Sequence, residues 1–389
     1  MKVLVVDNVH LIKDEEGEFY SPSIYSYNFF HRYLEVFDEV RIVGKLIETH
    51  SYDISKLNKI SGPGIEVVTL PWYKGLKQGL KKMPELIPIY RNICQDCDCY
   101  VFRMAQIESL MAYFIGKTGK KPFAIEVVND PGNSRDLISA ISLSGLRHMI
   151  KKANGVSYVT KEFLQAKYPH NISNPARFNA YYSSVELNES DIANEPKTFC
   201  GENVLKIVHV SNSISSDQKG HTTLLKALKF VIEKGYNVEA HFIGDGPLLE
   251  HYKQMASDFG IAENVKFVGR INTKDAVLEY MKKCDLMVLP TQAEGLPRTI
   301  IEAMAVGLPC LSTGIAGIPE LLGKEYLFDP FDYEGFANKI ISLINSPEKM
   351  NQMSEENLKK SRGYTVSVLQ KRRFAFYSKL RKVVEQNVM

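Results

Sequence analysis

Two glutamates eight residues apart, Glu294 and Glu302, stand in the stretch LPTQAEGLPRTIIEAMAVGLPCLSTGIAGIPELL that runs from Leu289 to Leu322. Glu294 follows a buried apolar strand and lies on the loop that opens a helix. Pro297 suits the first helical turn, where the helix has no use for the N–H that proline lacks. The free N–H groups around Gly295 to Thr299 then point outward, as a helix N-terminus does when it holds a phosphate. Glu302, between one and two turns into the helix, reaches past the phosphates toward a ribose hydroxyl pair. A carboxylate can accept from both hydroxyls. One carboxylate would meet a sugar and the other a nucleoside. Gly314 and Gly317 let a second backbone segment approach closely. A first-turn glutamate is favoured by the helix dipole in any case, so the setting of the pair carries the reading.

Three further motifs accompany this stretch: Lys219-Gly220 opening a helix, GDGPLLE at Gly244–Glu250, and VKFVGRI at Val265–Ile271. Gly244 and Gly246 lack the third glycine of a dinucleotide fingerprint. Taken together, the motifs resemble the donor-site signature of retaining glycosyltransferases of family 4. That family has the GT-B fold and includes enzymes that build bacterial surface polysaccharides. The resemblance spans most of residues 204–330 and is loose in the first half.

The resemblance implies roles for individual residues. Glu294 would sit by the transferred sugar's hydroxyls, Glu302 on the ribose, and Lys219 on the diphosphate. Gly295, Leu296 and Pro297 would form the phosphate loop. Gly244 would make room near the nucleotide, and the Arg270–Ile271 backbone would border the base. Where the family usually has an arginine before the lysine, this chain has SNSISSDQK, with Asn212 nearest that position. Pro297 stands where glycine is common. Arg298 is the candidate replacement for the missing charge, by a bidentate contact to phosphate.

In PFAIEVVNDPG, Asn129 or Asp130 occupies the place of the family's usual histidine. Asp130 is favoured as a catalytic group, because a carboxylate near the anomeric carbon stabilises oxocarbenium charge or orients the acceptor hydroxyl. The family's first-strand Gly-Gly loop is absent, which leaves that work to Asp7, Asn8 and the stretch to Gly17.

The implied reaction is hexosyl transfer from a nucleotide-diphospho-sugar, with UDP the expected nucleotide, to a saccharide or lipid-linked acceptor. It proceeds with retention of anomeric configuration and without metal or cofactor, the leaving diphosphate taking the acceptor proton. Alternatives are a non-catalytic GT-B subunit that binds a nucleotide or partner, and a GT-B nucleotide-sugar epimerase. Slow donor hydrolysis would separate a transferase from a binding subunit.

These groups need a scaffold, and the sequence suggests an α/β one of two doubly wound, Rossmann-like domains facing across a cleft. The chain has 389 residues, 44% hydrophobic and 24% charged, which fits two domains and excludes disorder and fibrous repeats. Apolar strands alternate with helical stretches through residues 1–190, the acceptor side. Residues 191–203 read as a linker, and the alternation restarts in the donor domain, 204–364. A terminal helix, 365–389, would pack back on the first domain.

A formal net charge of +3 gives no case for nucleic acid. MKVLVVDNVH reads as a strand rather than a secretory signal, and no run spans a membrane. The expected location is the cytoplasm, with contact at the inner face of the membrane. That contact would run through Trp72–Lys82, where Trp72, Tyr73, Leu76 and Leu80 neighbour four lysines. Cys94, Cys97 and Cys99 cluster, but a structural zinc site wants four ligands, so reduced thiols are expected.

Overall fold

The computed structural model describes residues 1–47, 53–104, 106–131, 137–201 and 204–388. The chain divides into two units. One comprises Met1–Tyr182 and the chain from Gln370 onward, the other Ser183–Leu369.

In the first unit, seven parallel strands pair in the order Ile65–Leu70, Glu39–Leu46, Lys2–Lys13, Cys99–Met104, Phe123–Val127, Gly155–Tyr158 and Phe178–Tyr181. The order reverses beside Lys2–Lys13, the point where open α/β sheets bind ligands. Lys2–Lys13 is longer than its apolar start suggests. A register shift between Val6 and Val9 lets it continue, and its far end pairs antiparallel with Phe19–Ser21. The inner segments Val3–Val6, Cys99–Met104, Phe123–Val127 and Gly155–Tyr158 are buried on both faces, as a covered parallel sheet requires, while the edge strand Ile65–Leu70 is mostly half-buried.

A charged cluster lies within that core. Arg103 and Glu126 are register partners on adjacent strands. The Arg103 guanidinium donates to Asp7 at 2.6 Å and to Glu126 at 2.5 Å, and all three side chains are over nine-tenths buried. Glu126 also accepts from the hydroxyls of Tyr182 (3.0 Å), Tyr33 (3.4 Å) and Tyr377. Burial alone would raise the Glu126 carboxyl, but Arg103 and the tyrosine hydroxyls hold it below the usual carboxylate range. Tyr377 lies on the terminal helix Val366–Val388, so this network ties that helix to the first sheet. Asp7, offered by the sequence for acceptor chemistry, is committed to Arg103 instead.

The second unit has six parallel strands in the order Val265–Gly269, Val238–Asp245, Leu205–Ser213, Leu286–Leu289, Cys310–Thr313 and Leu327–Phe328. Helix His221–Glu233 shows how its local sequence works. Leu224, Leu225, Leu228 and Val231 form one fully buried stripe against Ile207, Ala240 and Phe242, and Gly235 ends the helix at φ 84°.

Two expectations change. Residues 191–203 were expected to form a linker, but the described part belongs to the second unit, and the division falls at Tyr182–Ser183. The reason is backbone pairing: Ala193 N–H donates to the Ala305 carbonyl at 2.8 Å, Lys197 N–H to Ser354 at 2.8 Å, and Phe199 N–H to Asn351 at 2.8 Å. The Trp72–Lys82 surface also changes. Gly75–Ile93 is a helix, despite Pro84 and Pro88, and it buries Leu86 and Tyr90. Tyr73 is buried with its hydroxyl donating to Glu108 at 3.1 Å, and Trp72 lies edge-on to His10 at 5.1 Å. The aromatic pair therefore packs inward and leaves Leu80 and lysines outside.

Cys94, Cys97 and Cys99 are buried, and burial pushes their thiols up, Cys94 to about 12 and Cys97 to about 11. They stay protonated thiols packed as small apolar groups.

Candidate active site

In the second unit, the strand order reverses between Leu205–Ser213 and Leu286–Leu289. The loops that leave those two strands carry Lys219 and Glu294, and their side chains form an ion pair. Several hydrogen bonds lace the loops together. Gln292 N–H donates to the Gln218 carbonyl at 2.7 Å, and the Gln292 amide donates to the Asp217 carbonyl at 3.0 Å. Thr291, fully buried, donates to Gln218 at 3.1 Å and lies 3.5 Å from the Glu294 carboxylate. Gly220 makes the approach possible. It sits at φ 74°, and a Cβ there would lie 2.0 Å from the Pro290 carbonyl oxygen.

The Glu294 loop is braced from its other side. Gly317 N–H donates to the Gly295 carbonyl at 2.9 Å, so the second Gly-rich stretch supports the first. Ala316 in that stretch holds φ 48°, a left-handed conformation that costs about 1 kcal/mol for a residue with a Cβ. Gly295, Leu296 and Pro297 are buried. Pro297 is the cap rather than the first helical residue, at φ −70° and ψ 115°, and the helix runs Arg298–Ala305. The first-turn N–H groups, from Arg298 on, have no partner within the helix.

Glu302 lies one turn after Arg298 on this helix. Desolvation raises its carboxyl, against the pull of Arg298 and Lys274. A carboxylate with that environment gains from two hydroxyl donors, as a ribose offers.

Other predicted site residues sit differently. Gly244 was expected to make room for a nucleotide. A Cβ there would lie 1.7 Å from the Ser211 carbonyl oxygen, so its lack of a side chain serves the chain's own packing. Asn212, at the end of its strand, and Arg270 are exposed, and Ile271 is half-buried. In the first unit, Asp130 accepts from the Lys167 ammonium at 2.5 Å and from the Tyr168 hydroxyl, with its side chain 1% exposed, while Asn129 is exposed. That pairing gives Asp130 a structural occupation and leaves Asn129 the more accessible of the two.

Sequence reasoning missed the histidine pair under the lysine loop. His209 and His221 are fully buried, with rings 4.5 Å apart, and His221 stacks on Tyr252 at 4.7 Å. His209 Nδ1 pairs with the Val288 carbonyl at 3.0 Å, while its Nε2 and both His221 nitrogens have no partner among the described residues. A histidine within VLKIVHV was the available signal. Burial lowers both, His221 from 6.5 to about 4. Because folded His221 is depressed, the unfolded chain takes up its proton first as pH falls. Stability is full above about 6.5 and declines below it. We expect urea unfolding at pH 5 to show a loss of about 2 kcal/mol from His221, absent in His221→Phe; equal losses in both proteins would contradict this.

Residues 202–360 match the family model for glycosyl transferases group 1. Protein CapJ of Staphylococcus aureus is 28% identical over 376 residues, covering 92% of each chain. N-acetyl-alpha-D-glucosaminyl L-malate synthase of Bacillus anthracis is 30% identical over 152 residues, 38% of each chain. The crystal structure of Anabaena HepE in complex with UDP and glucose superposes with a TM-score of 0.62. It is 17% identical, with 100% of this chain and 99% of that one covered, a likeness of fold. Residues 202–360, which hold Lys219, Glu294 and Glu302, are thus similar to glycosyl transferases group 1, and the chain as a whole shares the GT-B architecture of its structural neighbours.

Proposed function

We propose that the chain transfers a hexosyl group from UDP-sugar to a saccharide or lipid-linked saccharide acceptor, with retention of configuration and without a metal. It would act in the assembly of a bacterial surface polysaccharide, in the cytoplasm at the inner face of the membrane. The observation that carries the reading is the pairing of Lys219 with Glu294 at the strand-order reversal, with Glu302 on the adjoining helix.

Lys219, Arg298 and the first-turn N–H groups of Arg298–Ala305 supply positive charge and donors for a diphosphate, a division of labour that needs no cation. Glu302 accepts from the ribose hydroxyls. Glu294 accepts from the sugar hydroxyls and stabilises positive charge as the glycosidic bond breaks. The carbon–oxygen bond to the diphosphate breaks while the acceptor oxygen bonds on the same face. The acceptor's proton passes to the departing diphosphate.

The test is the unfolding midpoint with UDP, GDP, ADP and CMP in excess EDTA. UDP at about 100 times its dissociation constant adds about 2.7 kcal/mol. We expect a rise with UDP that Glu302→Ala abolishes. A rise with another nucleotide would reassign the base. No rise with any of them, together with no slow hydrolysis of UDP-sugar, would defeat the transferase reading in favour of a binding subunit.

A further inference from the structure

The first unit holds a cavity of about 380 Å³, within the size range of small-molecule sites. Its place in the sheet is informative. Asn8 comes from Lys2–Lys13, the strand beside which the order reverses, and Lys45 from its neighbour, Glu39–Leu46. Lys45 is the last residue but one of that strand, so the cavity lies at the carboxyl end of the sheet, where open α/β sheets take their ligands. Glu108 reaches it from the first turn of helix Ile107–Ile115.

Part of the lining is polar. Lys45 Nζ donates to Glu108 Oε1 at 2.8 Å, and the Tyr73 hydroxyl donates to the same oxygen at 3.1 Å. All three side chains belong to residues more than nine-tenths buried. Their hydrogen-bonding capacity is not spent. The ammonium has two further protons, and Glu108 Oε2 accepts from no group among the described residues. Asn8 Oδ1 is buried and equally without a partner there, and Ser142 adds a buried hydroxyl. Leu80, Met83, Ile107 and Met111 make the lining apolar elsewhere, and Leu80, 60% exposed, opens it to solvent.

Two physical arguments select the occupant. Buried donors and acceptors with spare capacity favour a ligand that both donates and accepts, as a hydroxyl does. Lys45 and Glu108 are the charged residues of this lining, and their charges cancel. A carboxylate or phosphate entering here would meet Glu108 with no cation left to pair it. We propose that the cavity holds the acceptor as an uncharged sugar and that the Lys45–Glu108 pair sets this selectivity. The ammonium and carboxylate bond the sugar's hydroxyls, and the apolar residues cover the C–H face of its ring. The acceptor role rests on the proposed sugar transfer, whereas the preference for an uncharged sugar stands on the cavity's own charge balance.

Trp72, the single tryptophan, lies beside the pair, with Lys45 Nζ 6.0 Å from its ring centroid, so its fluorescence reports a ligand there. The experiment titrates the full chain with methyl glucoside and methyl galactoside, each against the matching uronate, which carries a carboxylate at C6. We expect a neutral sugar to bind, and about tenfold or more tightly than its uronate. Glu108→Gln strips Lys45 of its counter-charge and should make the uronate the equal or tighter ligand. A buried ammonium without its partner endangers folding, so Met83→Lys is measured as well. It adds a cation to the lining with the pair intact and should narrow the ratio by about fivefold or more. The UDP-induced rise in midpoint, read on every variant, confirms folding and tests the donor site separately. No neutral sugar bound by a protein that still responds to UDP would overturn the proposal. So would a uronate bound as tightly as its neutral sugar by the parent, or a ratio that neither substitution moves. Neutral-sugar binding without a UDP response would uphold the cavity and strike the donor reading alone.

Discussion

Replacing Glu294 with glutamine is expected to lower the turnover of sugar transfer by about 10²–10³-fold while leaving UDP binding nearly intact. The substitution keeps the shape of the side chain and removes its charge. In the structure that charge meets Lys219, and the carboxylate lies 3.5 Å from the Thr291 hydroxyl, so its position is set by both loops. Charge held in place before the reaction stabilises an electron-poor sugar without reorganisation. Its loss therefore appears in turnover rather than in nucleotide affinity.

Glu302→Ala gives the opposite pattern, with UDP affinity and the ligand-induced rise in midpoint both lost. Steady-state turnover of UDP-sugar, beside the midpoint with UDP alone, measures the split. A Glu294→Gln protein within about threefold of the parent in turnover would remove Glu294 from the proposed chemistry. If the substitution abolished UDP binding as well, the residue's role would be to hold Lys219.

The second large effect is on folding. Arg103→Ala should destabilise the first unit by about 3–5 kcal/mol, because Asp7 and Glu126 would remain buried without their cation. The chain has a single tryptophan, Trp72, which lies in that unit, so its fluorescence during urea unfolding reports on the first unit alone. Combining Arg103→Met with Asp7→Asn and Glu126→Gln should recover a substantial part of the loss, since a neutral set leaves no buried charge unpaired. An Arg103→Ala loss below about 1 kcal/mol would mean that water reaches the cluster. Glu126 is held below the usual carboxylate range, so its pairing stabilises the fold above that range and fails as acid protonates it.

Much of the second unit was legible in the sequence. Its helices keep a regular apolar stripe, as in Leu224, Leu225, Leu228 and Val231, and glycines such as Gly235 stop them. The strand Leu286–Leu289, LMVL, is a continuous apolar run. Local composition is enough for such elements, because each one's pattern matches its burial. The helix Gly75–Ile93 was harder to read, since Pro84 and Pro88 interrupt the usual signal and packing of Leu86 and Tyr90 sustains it. Residues 191–203 looked like a linker because they are polar. Their backbone N–H groups nonetheless found partners on Ala305, Asn351 and Ser354, far away in the chain.

The site shows the same division. Glu294, Glu302, Lys219 and the surrounding glycines and prolines are a sequence property: residue types at fixed spacing, of a chemistry suited to phosphates and hydroxyls. Only the tertiary structure decided that Lys219 and Glu294, 75 residues apart, meet. It also decided that Gly244 spares the Ser211 carbonyl and that Asp130 belongs to Lys167 and Tyr168. Arg103 and Glu126 could be seen as charges inside apolar strands, but their pairing with Asp7, and with Tyr377 from the far end of the chain, could not. The reason is physical. Periodicity and turn chemistry are encoded over a few residues, whereas strand order and register bring distant charges together, and a buried charge is stable only beside the partner that the fold supplies.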